Sequence, residues 1–163
     1  MTDRPRTADD FLRSVREARI EKRRCEFRLE ELRAQCEKVT ASYGPLAPGG
    51  SGDGHKDGLL VTVAQETDEL LRLTQVYIRR IHDVEQFIST LDDVKHRTVL
   101  RLRYVDGLRW DAVSAGMKEY GLYYSERGMY KLHGEALAEA RVRFDTWAEV
   151  NDVWEEDEPN ETA

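Results

Sequence analysis

The chain has 163 residues, of which 35% are charged and 40% hydrophobic, and it carries a net charge of −7. That size fits one domain or a small domain with extensions, and so many charges suit long exposed helices better than one thick globule. No apolar run approaches the roughly 20 residues of a membrane span, and the amino terminus MTDRPRTADD lacks the apolar middle of a secretory signal, so a cytoplasmic protein with no membrane association is expected.

Residues 8–42 read as one long helix. Phe11, Val15, Ala18, Lys22, Cys25, Leu29, Leu32, Cys36 and Val39 follow one another at alternating spacings of four and three. That is a heptad seam with Lys22 as its one polar member, a device that lowers stability and can fix register. The cluster Lys22, Arg23, Arg24 reads as a solvated helix face more readily than as a phosphate contact. The two cysteines lie 11 positions apart, about 16 Å along a helix, too far to bridge each other. Two reduced core residues are expected, with an intermolecular disulfide as the alternative.

From Ser42 to Gly58 the prolines and dense glycines predict a loop. It is not a phosphate loop, because no Lys-Ser/Thr follows at the required spacing. A second seam comes next: Val63, Thr67, Leu70, Thr74, Tyr77, Ile81, Val84, Ile88 and Leu91. Residues 59–90 are therefore a second helix of similar length. Two matched heptad helices joined by a loop predict an antiparallel hairpin stalk over 8–91. Such a hairpin is thin, and a homodimer forming a four-helix bundle would cover more apolar surface.

A break near Thr90–Asp93 separates the stalk from a head spanning 92–147. Val94, Leu100 and Val105 lie among basic residues over about three helical turns, and Gly107 ends that run in a left-handed conformation. A short helix, Trp110 to Met117, puts Trp110, Val113 and Met117 on one face. A turn-rich link, Lys118 to Tyr124, contains Gly121, and Ser125 opens a longer helix as an N-cap. Leu100, Tyr104, Trp110, Val113, Met117, Leu132 and Leu137 are the expected head core. Helix, tight break, short helix, turn, long helix is the layout of a helix-turn-helix unit. The fold class expected is thus all-α, a coiled-coil-like hairpin followed by a helix-turn-helix domain.

The segment Leu91–Ser114 resembles the start of the region 4 domain of bacterial sigma factors and of sigma-like phage regulators. Val99, Leu100, Leu102, Arg103, Tyr104, Gly107 and Val113 stand in that register. With Trp110 and the following SERGMYKLHGEAL, the chain is similar to small phage proteins of Gram-positive hosts, described as ArpU/RinA-type late transcription regulators or carrying only an unknown-function label. Two departures are a longer turn before Ser125 and Arg109 where a capping residue is expected. The resemblance implies a phage or prophage setting and contact with RNA polymerase.

In a helix-turn-helix the groove is read from the amino end of the last helix. Here that end carries Ser125, Glu126, Arg127, Tyr130 and Lys131. Arg127 suits a guanine edge and Glu126 a cytosine amino group. Lys131, Arg101, Arg103 and Arg109 are candidate phosphate contacts, which position without specifying. Tyr120, Tyr123, Tyr124 and Tyr130 could stack on bases, but closing the turn onto the core is the favoured role. His133 is expected to be partly buried and hydrogen-bonded.

The charge is uneven. Residues 1–41 net +2, 42–91 net −3, 92–145 net +1 and 146–163 net −7. The acidic block at 148–163 is expected to be disordered, either solubilising or competing with DNA for the basic face. The four histidines follow no metal-ligand spacing, and Asp92 with Asp93 has no supporting base, so no metal, cofactor or enzymatic activity is expected. A sequence-specific regulator binding double-stranded DNA is the leading reading. A phage DNA-packaging recognition subunit of the small-terminase kind and a helical adaptor that binds no DNA are the alternatives.

Overall fold

The computed structural model describes residues 7–41 and 53–151, with the backbone alone described for 39–41, 53–57 and 59. Every regular element in these residues is helical: α1 (Ala8–Ala41), α2 (Asp53–Ser89), α3 (Val94–Leu100), a π-helical turn (Arg101–Val105), α4 (Trp110–Glu119) and α5 (Glu126–Val150). The fold is all-α. Among the described residues no helix is long and apolar enough to cross a membrane, and no cluster of His, Cys, Asp or Glu could hold a metal ion.

The heptad seams are the reason α1 and α2 exist. Phe11, Val15, Ala18, Cys25 and Leu32 are buried, while Lys22, Leu29 and Cys36 are half-buried; the Val39 side chain lies outside the described residues. Both cysteines are free thiols. Lys22 keeps its ammonium at the seam edge, 2.5 Å from Glu26. Phe11 meets Phe87 with ring centroids 5.8 Å apart, and Arg28 donates to Glu66 at 2.6 Å. Partner numbers fall along α2 as they rise along α1, so the pair is an antiparallel hairpin. The expected loop over 42–58 is too long, since α2 already begins at Asp53. Once a helix is nucleated each further residue adds one bond, and this outweighs the roughly 1 kcal/mol cost of each glycine there. Residues 42–52 lie outside the description.

Two compact units result, one from Met1–Glu17 with Arg80–Ala163 and the other Ala18–Arg79. The division expected at Leu91 is therefore displaced. Its cause is the core: Phe11, Leu12, Val15, Val84, Phe87 and Ile88 are buried in the same cluster as Val99, Leu100, Val113 and Met117. The rings of Phe11, Phe87, Phe144 and Trp147 join them pairwise, with centroids 5.1 to 5.8 Å apart.

In this first unit α5 is the organiser. Met129, Leu132, Ala136, Ala140, Phe144 and Ala148 form its buried stripe, at helical spacing. Because Ala148 is wholly buried, the helix runs through the residue where an acidic tail was expected to start. Residues 152–163 lie outside the description. Polar ties fix α5 lengthwise. Arg141 grips Asp9 with two bonds of 2.7 and 3.0 Å. Glu139 accepts from the Asp92 amide at 2.5 Å and lies 2.5 Å from His96 Nδ1, and Arg143 donates to the Thr90 carbonyl and the Asp92 carboxylate. Burial pushes the Glu139 carboxyl up, but the bonds from His96 and Asp92 outweigh it and hold it below the usual range.

The expected break after α2 is present, and Asp93 caps α3 by accepting from the Lys95 amide at 2.7 Å. Val94 is exposed rather than part of the core. The run that the sequence predicts as one helix up to Gly107 widens into the π-helical turn. Its Asp106 amide reaches back five residues to Arg101 at 2.9 Å, a widening that lets Leu102 and Val105 both point inward. Gly107, at φ 68°, then stops the helix, where an L-residue would be strained.

Candidate nucleic-acid interface

Ser125 does what its sequence position predicts. It holds an extended conformation, with ψ 163°, and its Oγ accepts from the Gly128 amide at 3.1 Å. This satisfies one of the orphan donors of the first turn of α5. A β-carbon on Gly128 would stand 3.2 Å from that Oγ, so glycine suits the capped turn. Met129 and Leu132 are buried beneath it. The first two turns of α5 are thereby fixed from within, which leaves their other face outward.

That face carries Glu126, Arg127, Tyr130 and Lys131, all exposed. Lys131 is 79% exposed, with Glu135 3.8 Å away, a loose pair on the surface. Arg127 has no hydrogen bond or ion pair to any other described residue. The helix amino end adds a partial positive charge to the same place, favourable to phosphate. Tyr130 is half out of the surface, and its ring meets Trp110 edge-on at 4.9 Å. Trp110 also meets His133 at 4.9 Å, and the Tyr104 hydroxyl lies 3.2 Å from His133 Nε2. An aromatic floor of Tyr104, Trp110 and His133 thus sits under the front of α5. Burial pushes the Tyr104 hydroxyl up and the His133 imidazole down, so the latter favours its neutral form.

The four expected phosphate contacts separate. Lys131 and Arg109 are exposed, and Arg109 adjoins the floor as the residue before Trp110, where it caps α4 without a side-chain bond. Arg103 is engaged within the chain: its Nη1 donates to the Leu108 carbonyl at 2.8 Å and its guanidinium lies 5.0 Å over the Trp110 ring. It is a strut between the π-helical turn and the start of α4. Arg101 lies 3.7 Å from Glu85 and lines a groove of about 290 Å³ with Arg97, Val94 and Tyr120, among which no first-turn residue of α5 appears.

The tyrosines correct a second expectation. Tyr124 packs against the core, but Tyr120 and Tyr123 are 66% and 76% exposed. Leu122, also packed on the core, closes the turn instead, with its amide bonded to the Met117 carbonyl at 3.0 Å. Spacing alone did not distinguish Leu122 from its aromatic neighbours. The four buried members of the expected head core are Leu100, Val113, Met117 and Leu132; Tyr104, Trp110 and Leu137 pack around them partly exposed.

Residues 47–139 match the sequence profile of a family described as protein of unknown function (DUF1492). The chain belongs to that family. The DUF1492 match takes in α3, α4 and the outward face of α5, and ends at Glu139, the residue that ties α5 to the α2–α3 connection. No curated protein and no solved structure matches the chain.

Proposed function

We propose that this DUF1492 protein is a sequence-specific DNA-binding transcriptional regulator of phage or prophage type, acting in the cytoplasm, with the front of α5 lying in the major groove. One observation carries the reading: Glu126, Arg127, Tyr130 and Lys131 face outward on a capped helix end whose inner side is locked by Met129 and Leu132. An aromatic floor makes that end rigid, and base reading needs a rigid end. Arg127 is the base-reading residue, suited to a guanine edge. Lys131 and Arg109 grip phosphate. The likeness of Val99–Val113 to sigma region 4 adds RNA polymerase as a second partner.

The test is binding of the full-length protein to duplexes selected from a random pool, followed by fluorescence anisotropy over a range of salt. Affinity should fall steeply with salt. Arg127→Ala should reduce the preference for the selected site by about 1–3 kcal/mol while changing nonspecific binding little. Lys131→Ala should weaken all duplexes alike and lower the salt slope by about one. Equal losses on all duplexes for Arg127→Ala would make Arg127 a backbone contact. Absence of salt-dependent binding would favour the helical adaptor, and a ring-shaped assembly would favour the packaging subunit.

A further inference from the structure

Two tyrosines of the link between α4 and α5 stand out of the surface, and their surroundings differ. Tyr120 is 66% exposed and lines the groove of Val94, Arg97 and Arg101. Tyr123 is 76% exposed and does not line that groove. It makes no hydrogen bond or ring contact to another described residue. Its backbone is nevertheless held on both sides. Leu122 packs on the core, with its amide on the Met117 carbonyl at 3.0 Å. Tyr124 also packs on the core, and its ring lies along the first turn of α5, 3.5 Å from where a β-carbon on Gly128 would stand. Inward, outward, inward is the alternation of an extended segment, and it leads into the extended Ser125. The Tyr123 phenol is thereby turned away from the core at a fixed place beside the front of α5.

We propose that Tyr123 is an uncharged phosphate contact: with the front of α5 in the major groove, its hydroxyl donates to one backbone phosphate of the duplex. The inference rests on the DNA-binding reading above. Geometry selects phosphate over base. Tyr123 lies two residues before the cap, at most about 7 Å along the chain. A helix with its side chains is about 10–12 Å across and fills a major groove about 12 Å wide. A side chain standing beside that end therefore meets the sugar–phosphate wall of the groove. A phenol can donate one hydrogen bond to a phosphate oxygen. Charge gives the contact its value. The head residues 92–145 net only +1, and Arg103 is engaged within the chain. A neutral donor adds a grip on the backbone that releases no counterion, so it holds as well at high salt as at low.

Tyr123→Phe removes the hydroxyl and keeps the exposed ring. In the full-length protein it should weaken binding by about tenfold, alike for selected and unrelated duplexes, with the salt slope of the wild type. That signature differs from Lys131→Ala, which lowers the slope, and from Arg127→Ala, which lowers the preference. Methylphosphonate groups placed one at a time along the selected duplex should mark at least one position where the wild type loses about tenfold more affinity than Tyr123→Phe. Tyr120→Phe should match the wild type throughout. Tyr123→Phe matching the wild type on every duplex that the wild type binds overturns the inference alone. So does an equal loss for Tyr120→Phe, or a loss confined to the selected sequence, which would make Tyr123 a base contact. A wild type that binds no duplex overturns the DNA-binding reading itself, and this contact with it.

Discussion

Two residues of the head show how one type of side chain is given different work. Arg103 and Arg127 are both arginines on predicted helix faces, yet Arg103 is spent on the Leu108 carbonyl and the Trp110 ring. Arg103→Met keeps the aliphatic stem and removes the bond and the cation–π contact. It should lower stability by on the order of 1 kcal/mol in urea denaturation while leaving the salt slope of DNA binding as it was. A slope reduced by about one would restore Arg103 as a phosphate contact. His133 makes a pH-dependent contribution through its burial. Its folded form holds protons less tightly than its ordinary value of 6.5, so the unfolded chain binds more protons as pH falls. Stability is complete above about 6.5 and is lost as pH drops from there through the lowered folded value. Thermal midpoints between pH 7.5 and 5 should fall less for His133→Gln than for the wild type. Glu139 and Asp9, both held below their ordinary values of 4.5 and 3.8, contribute a separate loss only below those values.

Among the elements, α5 has two different supports, and each can be removed alone. Ser125→Ala deletes the cap and should cost about 1 kcal/mol, with fraying of the first turn visible as faster amide exchange at Gly128 and Met129. Phe144→Ala leaves a cavity among Phe11, Phe87 and Trp147 and should cost about 3–5 kcal/mol, a large share of the 5–15 kcal/mol typical of a domain, as read from chemical denaturation. The contrast explains what could be read from the residues in advance. Periodic features were legible: both seams, the break at Thr90–Asp93, the Gly107 stop and the Ser125 cap each follow from spacing or from one residue's local chemistry. Features set by packing were not. The π-helical turn forms because Leu102 and Val105 must both reach the core, and no local signal encodes that demand. Phe11, Val84 and Phe87 carry ordinary heptad or flank spacing, so their membership in the head core appears only when α5 lies across them. The outward face of α5 was legible because the N-cap fixes its phase, while the exposure of Tyr120 and Tyr123 depended on Leu122 taking the inward place.

At the scale of the whole molecule the unresolved tension is charge. A protein of net −7 is a poor polyanion ligand, and long-range repulsion slows approach to DNA even where a local patch is cationic. The deficit is concentrated, however. Residues 152–163 carry six acidic side chains and no basic one, so a chain ending at Asn151 has a net charge of −1. This segment thus holds six of the seven net negative charges. If its charge opposes DNA binding, removal should raise nonspecific affinity strongly at low salt and hardly at all at high salt, where the Debye length shrinks from about 30 Å at 0.01 M to about 3 Å at 1 M. The two affinity curves should converge as salt rises, with most of the difference in the association rate. An offset that persists at high salt would mean that the segment touches the binding face directly instead of acting through its field. No difference at any salt would leave it only a solubilising end.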